Sequence, residues 1–86
     1  MTGVPETGKV PLTSVLCRAA RALLDWSQTD LAERAEVSRS TIRDFEGGVH
    51  DPQRATSNQL RLAFEQAGVA FVDVPGIGPG VCLRRA

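Results

Sequence analysis

The apolar residues between positions 13 and 25 recur at helical spacing. They fall at i, i+3, i+4, i+7 and i+8 and comprise Leu16, Ala19, Ala20, Leu23 and Leu24. Thr13 stands where its side-chain oxygen can cap the first turn, so the pattern predicts a helix over residues 14–25. Residues 1–12 hold two Pro and two Gly without an apolar period, which predicts a flexible N-terminal tail.

Two short helices are predicted next, each behind a capping sequence. Ser27 is followed three residues later by Asp30, the spacing of a capping box, which predicts a helix over residues 28–35. Ser38 precedes a second helix, over residues 39–46, which a glycine pair ends. The inward positions of these two helices are Leu31, Ala32, Ala35, Ile42 and Phe45. The outward positions of the second helix are Arg39, Ser40, Arg43 and Asp44.

A fourth amphipathic pattern follows a loop. Its apolar positions are Leu60, Ala63, Phe64 and Ala67. The pattern predicts a helix that begins near Thr56 or Ser57 and stops at Gly68. Together the four helices indicate one helical domain over residues 13–68.

The end of the chain, residues 69–86, differs in kind. Residues 69–74 are β-branched and aromatic, residues 75–80 are dense in Gly and Pro, and residues 81–84 are a second strand candidate. A lone two-stranded hairpin is only marginally stable in water. We therefore expect these C-terminal strands to lie against the helices or against a second chain.

Composition restricts the classes of function. The chain has 86 residues, with ten basic side chains against ten acidic ones, which is enough for one compact core. No apolar stretch approaches the ~20 residues of a membrane span. The first residues lack the features of a secretory signal, so we expect a cytoplasmic protein without a membrane partner. No nucleophile elbow, phosphate loop or pair of catalytic carboxylates can be placed, so we expect no enzyme.

The remaining composition bears on metals and on nucleic acids. Cys17 and Cys82 are far apart in sequence, and with the single histidine they cannot supply the four ligands of a zinc site. We expect neither a metal nor a cofactor. A net charge of zero sets a condition for nucleic-acid binding, since the basic side chains must then be concentrated on one surface.

The two short helices over residues 28–35 and 39–46, separated by about three residues, form a helix-turn-helix pattern. The segment from Arg18 to Gly48 resembles the Cro and phage-repressor family of DNA-binding domains, also known as the xenobiotic-response-element family. The resemblance covers about residues 13–68. It implies a mainly α, lambda-repressor-like bundle of four to five helices, to which the sequence adds a short C-terminal β-hairpin used for dimerisation.

The resemblance also implies roles for individual residues. The helix over residues 39–46 is expected to enter the major groove of double-stranded DNA as the recognition helix. The implied base contacts are Arg39, Ser40, Arg43 and Asp44. The implied phosphate contacts are Arg21, Ser27, Gln28, Thr41, Arg54 and, more weakly, His50. Arg21 and Glu46 are expected to form a structural pair.

One position departs from the family pattern. The turn between the two helices usually carries Gly, because its backbone tends to adopt a positive φ, whereas this chain has Glu36. A residue other than Gly holds that conformation at a cost of roughly 1 kcal/mol. The turn is therefore expected to be slightly strained or to have a different shape, which would change the angle of the second helix.

The C-terminal strands predict self-association. Their apolar residues would leave an exposed face and an unpaired strand edge on a monomer, so we predict a two-fold homodimer through this region. The predicted interface residues are Val69, Phe71, Val72, Val81 and Leu83.

The implied function is a bacterial transcriptional regulator, a repressor in preference to an activator, that binds a pseudo-palindromic operator as a homodimer. A protein antagonist is a further candidate partner. Two alternatives stay open. One is a protein-interaction module, such as an antitoxin or an antiactivator, built on the same helices. The other is an architectural or excisionase-like DNA binder.

Overall fold

The computed structural model describes residues 6–7, 10–48 and 54–85. Its elements in chain order are β1 (Glu6–Thr7), α1 (Ser14–Leu24), α2 (Gln28–Ala35), α3 (Arg39–Gly47), α4 (Arg54–Gln66), β2 (Val69–Val74) and β3 (Gly78–Leu83). The strands form one antiparallel sheet in the order β1-β2-β3. The mainly α bundle predicted from the sequence is confirmed, with the predicted C-terminal hairpin as β2 and β3.

The first three helices begin at the predicted caps. Thr13, Ser27 and Ser38 each have an extended backbone and accept a hydrogen bond from a backbone N–H three residues later. At α2 the capping box is complete, because the Asp30 carboxylate also accepts from the Ser27 N–H at 2.9 Å. These caps fix where each helix enters the bundle.

The same three helices end at residues in the left-handed conformation. Asp25 ends α1 with φ 56°, Glu36 ends α2 with φ 59°, and Gly48 ends α3 with φ 69°. The positive φ implied for Glu36 is thereby confirmed. A glutamate holds the turn between α2 and α3, at a cost that a glycine would not carry.

The core lies between the four helices and the sheet. Leu31, Ile42, Leu60 and Phe64 have no exposed surface. Phe64 stacks on Trp26 with ring centroids 5.9 Å apart and meets Phe71 of β2 edge-on at 6.0 Å. The sheet therefore packs against the helices and covers one side of the core.

The sheet register decides which strand residues face the helices. Val69 lies opposite Leu83 and Phe71 opposite Val81, on the side that packs against the core. Val69 and Phe71 are 0% and 1% exposed. The predicted apolar face is thus covered at these two residues by the chain's own helices. The exposed position predicted for these two residues is wrong, because the face that strand alternation gives them packs against the helices.

The segment before α1 differs from the flexible tail predicted for residues 1–12. β1 pairs with β2, and Val10 and Leu12 are 4% and 8% exposed in the core. Arg61 of α4 donates a hydrogen bond to the Val10 carbonyl. The sequence did not predict this packing, because two apolar residues, Val10 and Leu12, are too few to show a period.

The hairpin turn is shorter than predicted. β3 begins at Gly78, and the Ile77 N–H donates to the Val74 carbonyl at 2.9 Å to close a tight turn. The Gly and Pro content of residues 78–80 predicts a turn there, whereas these residues form the first half of β3. Pro79 is tolerated in β3 because an edge strand does not need every N–H for its ladder.

Candidate nucleic-acid interface

The outward face of α3 carries the four predicted base contacts. Ile42 and Phe45 bury the opposite face, at 0% and 6% exposure. Arg39 and Ser40 are exposed in the first turn, the Arg43 side chain is 71% exposed, and that of Asp44 is 48% exposed. The helix thus presents two guanidinium groups and a hydroxyl to the solvent.

Asp44 and Arg43 lie near each other on this face. The Arg43 Nε to Asp44 Oδ1 distance is 4.0 Å, too long for a hydrogen bond. An exposed pair of this kind contributes little to stability. Arg43 is consequently free to turn toward a ligand with little loss of free energy.

Three hydroxyl groups cluster at the first turn of α3. Ser38 Oγ accepts from the Thr41 N–H at 3.1 Å and lies 2.7 Å from Thr41 Oγ1 and 3.1 Å from Ser40 Oγ. Thr41, a predicted phosphate contact, is half-buried. The cluster gives the helix start several donors beside the positive end of its dipole.

Glu46, at the last turn of α3, is the only buried charged residue among those described, at 5% exposure. Arg21 of α1 donates to both of its carboxylate oxygens, from Nε at 2.7 Å and from Nη2 at 2.8 Å. The predicted pair is therefore present in a two-pronged geometry that fixes both position and orientation.

Further donors converge on Glu46 from α1 and α2. The Gln28 amide donates to Oε1 at 3.1 Å, the Cys17 thiol donates to Oε2 at 3.2 Å, and Arg18 Nη1 donates to the backbone carbonyl at 3.4 Å. We call Glu46 with these four partners the Glu46 cluster. It joins three helices through one carboxylate, so the angle of α3 is tied to α1 and α2.

Within the Glu46 cluster, the negative charge of Glu46 is balanced by the positive charge of Arg21. Burial acts to raise the pKa of Glu46, but hydrogen bonds from Arg21, Gln28 and Cys17 outweigh it and hold the pKa below its ordinary value. The hydrogen bonds that Arg21 donates to Glu46 raise the pKa of Arg21 in turn. Both groups stay ionised at neutral pH.

Cys17 is a structural thiol in this cluster. It has no exposed surface, and burial, with the nearby Glu46 carboxylate, raises its pKa well above the ordinary value. A thiol held in its protonated form donates a hydrogen bond and is a poor nucleophile. Cys82, by contrast, is exposed on β3.

The start of α2 holds two predicted phosphate contacts. Ser27 Oγ is already used to cap the helix, accepting from the Asp30 N–H at 3.0 Å. The backbone N–H of Ser27 lowers the pKa of Asp30, which therefore stays ionised beside the helix end. Gln28 is half-buried, with one amide N–H given to Glu46. Its second amide N–H and the first backbone N–H groups of α2 are the donors left at this helix start.

The last two phosphate candidates lie after α3. Arg54 is the first residue of α4 and is exposed. His50 lies outside the described residues. Arg21, counted both as a phosphate contact and as a structural partner, has a side chain 20% exposed and also donates to the Trp26 carbonyl at 3.0 Å. The structural role of Arg21 is the one that these contacts describe.

Cys17, Arg18 and the amide of Gln28 were not predicted as partners of Glu46. A signal existed for Cys17, which stands four residues before Arg21 and so shares its helix face. No local pattern indicates the Gln28 contact, because it depends on how α2 crosses α3.

The comparison with known families bears on this region. The helix-turn-helix family model matches residues 18–64, more than half of the chain, and the match runs through α2, the Glu36 turn and α3. The chain belongs to the Cro and phage-repressor type of helix-turn-helix proteins. No curated protein matches the sequence.

This helix-turn-helix protein is accordingly a DNA-binding regulator. Its family is one of regulatory domains and not typically of enzymes. Within the described residues, no helix has the length and apolar character needed to cross a membrane. Nor does any group of three metal-ligating side chains occur in that part of the chain.

Proposed function

We propose that the protein is a transcriptional repressor that binds a pseudo-palindromic operator in double-stranded DNA as a homodimer, with α3 in the major groove. The observation that carries the proposal is the pairing of an exposed polar face on α3 with a buried anchor at its end. The Glu46 cluster holds the helix, while Arg39 and Arg43 are free to bind.

Base reading is assigned to the outward face of α3. An arginine can donate two parallel hydrogen bonds to guanine O6 and N7, and each such contact discriminates by about 1–3 kcal/mol. Arg39 and Arg43 are four residues apart and so share one side of the helix. Ser40 and Asp44 flank them, with Asp44 able to accept from cytosine N4 or to orient Arg43.

Phosphate contacts would fix the docking position. Gln28 retains one amide N–H beside the start of α2, where the helix dipole favours an anion. Ser27 contributes through the helix start that it caps, and Thr41 and Arg54 extend the contact line. Arg21 is a weaker candidate, since its nitrogens serve Glu46 and Trp26. Such contacts position the protein and carry no sequence information of their own.

Dimerisation is proposed through the C-terminal hairpin. Of the predicted interface residues, Leu83 is 47% exposed, whereas Val72 and Val81 are half-buried. Two copies related by a two-fold axis would place two recognition helices on half-sites about 34 Å apart. Repression then follows from occupancy, because a dimer on the operator excludes polymerase from the same DNA.

The test is a selection of duplexes from a random double-stranded library by the full-length protein. The expected product is an inverted repeat whose half-site centres are about 10 base pairs apart. The Arg39→Ala/Arg43→Ala double variant should enrich no sequence. The matched control, Arg84→Ala/Arg85→Ala, removes the same charge from exposed positions outside the helix-turn-helix and should enrich the same repeat.

The outcomes separate the proposed function from its alternatives. Unchanged selection by the double α3 variant would contradict base reading by α3 and would favour a protein-interaction module. Binding without any enriched sequence would favour an architectural DNA binder. A promoter carrying the selected repeat should be silenced by the protein in a reporter strain, and activation there would contradict repression.

A further inference from the structure

More than half of the exposed large apolar side chains in the described part of the chain lie on two neighbouring elements. Five such side chains occur, and three of them lie on α1 and β3: Val15 at 60%, Leu23 at 39% and Leu83 at 47% exposure. α1 packs beside β3, and Leu83 is on the side of the sheet that faces the helices. The exposed apolar side chains of α1 and β3 therefore lie on adjacent parts of the surface.

One flank of the outer face of α1 is uncharged. Val15, Ala19, Ala22 and Leu23 share it by helical spacing, and each is exposed or half-buried. We call these four residues the α1 stripe. Arg18, between Val15 and Ala22 by helical spacing, is exposed and borders the stripe, and its guanidinium donates to the backbone carbonyl of Glu46 in α3. A surface helix normally places charged or polar side chains outward, so the α1 stripe indicates a partner of apolar character.

β3 is the edge strand of the sheet, and no described residue pairs with its outer side. The Arg84 N–H donates to the Gly68 carbonyl at 2.7 Å, toward β2. Because backbone groups alternate along an antiparallel strand, those of Val81 and Leu83 point to the free edge. Pro79 offers a carbonyl there but no N–H. Pro79 guards only the start of this edge, and no residue of β3 is charged, so the edge from Val81 to Leu83 lacks the residues that usually prevent strand addition.

We propose that a second copy of this chain occupies this surface, with the two β3 strands paired antiparallel about a two-fold axis at Cys82. Val81 then exchanges both backbone hydrogen bonds with the partner's Leu83. The axis stands perpendicular to the joined sheet, so both α1 stripes lie on the same side and face each other across it. This interface rests on the proposed homodimer and specifies its strand, its register and its helix.

The backbone groups select this register from the ones that strand geometry allows. Centring on Cys82 gives four hydrogen bonds from Val81 and Leu83 alone, with every edge group of both residues paired. Centring on Val81 sets Leu83 against the partner's Pro79 and leaves the Leu83 carbonyl without a donor. With the two-fold axis at Leu83, Val81 would pair with the partner's Arg85. Most of the hydrogen bonds between the strands would then involve a residue outside β3.

Disulfide formation tests the register in the full-length protein. Cys82 would lie opposite the partner's Cys82 in a non-hydrogen-bonded pair, with Cα atoms about 4.5 Å apart, within disulfide range. Diamide oxidation should therefore give a covalent dimer rapidly. In a Cys82→Ser background, Val81→Cys and Leu83→Cys should each fail to link alone, since equivalent residues are then about 7–8 Å apart. A mixture of these two variants should link.

Sedimentation equilibrium tests the contribution of the α1 stripe. Ala22→Lys sets two ammonium groups against each other across the axis and should raise the dimer dissociation constant by at least about tenfold. Asn58→Lys, at an exposed position of α4, should leave it unchanged. Far-UV circular dichroism verifies that both variants are folded.

Four results would overturn the interface. The first is a monomer at all concentrations, and the second is a dimer that does not form the Cys82 link. The third is a Val81→Cys or Leu83→Cys variant that links alone with the same yield as the mixture of the two. The fourth is an Ala22→Lys variant whose dimer dissociation constant is unchanged. Each leaves the proposed DNA binding testable by itself, because sequence selection by Arg39 and Arg43 is measured independently of dimer registration.

Discussion

Arg21 and Glu46 form a two-pronged ion pair, with N to O distances of 2.7 and 2.8 Å, that binds α1 to the end of α3. Glu46 is almost fully buried, and Arg21 is its main counter-charge. A buried carboxylate of this kind keeps its charge only while its donors are in place. The pair therefore makes the position of α3 depend on Arg21, a residue that lies outside the helix-turn-helix itself.

Removal of the carboxylate should destabilise the fold. Glu46→Ala leaves the Arg21 guanidinium, the Gln28 amide and the Cys17 thiol without their acceptor. Breaking a buried ion pair from one side costs about 3 kcal/mol of the free energy of unfolding. Urea denaturation measures the loss. Glu33→Ala, at an exposed site on α2, is the control and should change that free energy by less than about 0.5 kcal/mol. Equal losses in the two variants would contradict the anchor role.

The free energy of unfolding should also depend on pH through the ionisation of Glu46. Its pKa is lowered in the folded chain relative to the ordinary value of 4.5, so the unfolded chain binds the proton first as pH falls. The contribution is complete above about pH 5 and declines as pH drops through 4.5 toward the lower folded pKa. Urea denaturation between pH 7 and pH 3 should show a shallower decline for Glu46→Gln than for the unchanged protein. Parallel curves would show that Glu46 does not contribute.

The turn between α2 and α3 should tolerate, and gain from, glycine. Glu36 has φ 59°, which favours a residue without a Cβ. Glu36→Gly should raise the free energy of unfolding by about 0.5–1 kcal/mol after the entropy of the unfolded glycine is deducted. Glu36→Ala keeps the strain while removing the carboxylate, and it should stay near the unchanged value. A stabilised alanine variant would assign the effect to charge instead of to backbone conformation.

The two thiols should react at different rates. Cys82 is exposed, whereas Cys17 is buried and its pKa is raised by burial. A freshly reduced protein should therefore show one fast thiol with a colorimetric disulfide reagent and a second only after denaturation. Cys82→Ser should abolish the fast phase. A fast phase that survives this substitution would contradict the buried placement of Cys17.

The sequence predicted much of the helical part because its signals are local. Thr13, Ser27 and Ser38 mark the helix starts by residue type, and periodicity separates the buried Ile42 and Phe45 from the outward face of α3. The predicted Arg21–Glu46 pair came from the family resemblance and is present.

The contacts and the burial that the sequence did not predict depend on how the helices and strands pack against one another. The contacts of Cys17 and Gln28 with Glu46 require the three helices to be assembled first. The burial of Val69 and Phe71 was missed for a related reason. Strand alternation shows that they share a face, but not whether helices or a second chain cover it.

The central claim is that α3 reads DNA sequence through Arg39 and Arg43. Fluorescence anisotropy tests it most directly, with the full-length protein on the selected duplex and on a scrambled duplex of equal length at one salt concentration. The account predicts that Arg39→Ala/Arg43→Ala lowers the ratio of the two affinities by at least about thirtyfold, from two lost base contacts of 1–3 kcal/mol each. Arg84→Ala/Arg85→Ala should keep that ratio. An unchanged ratio in the α3 double variant would contradict the account.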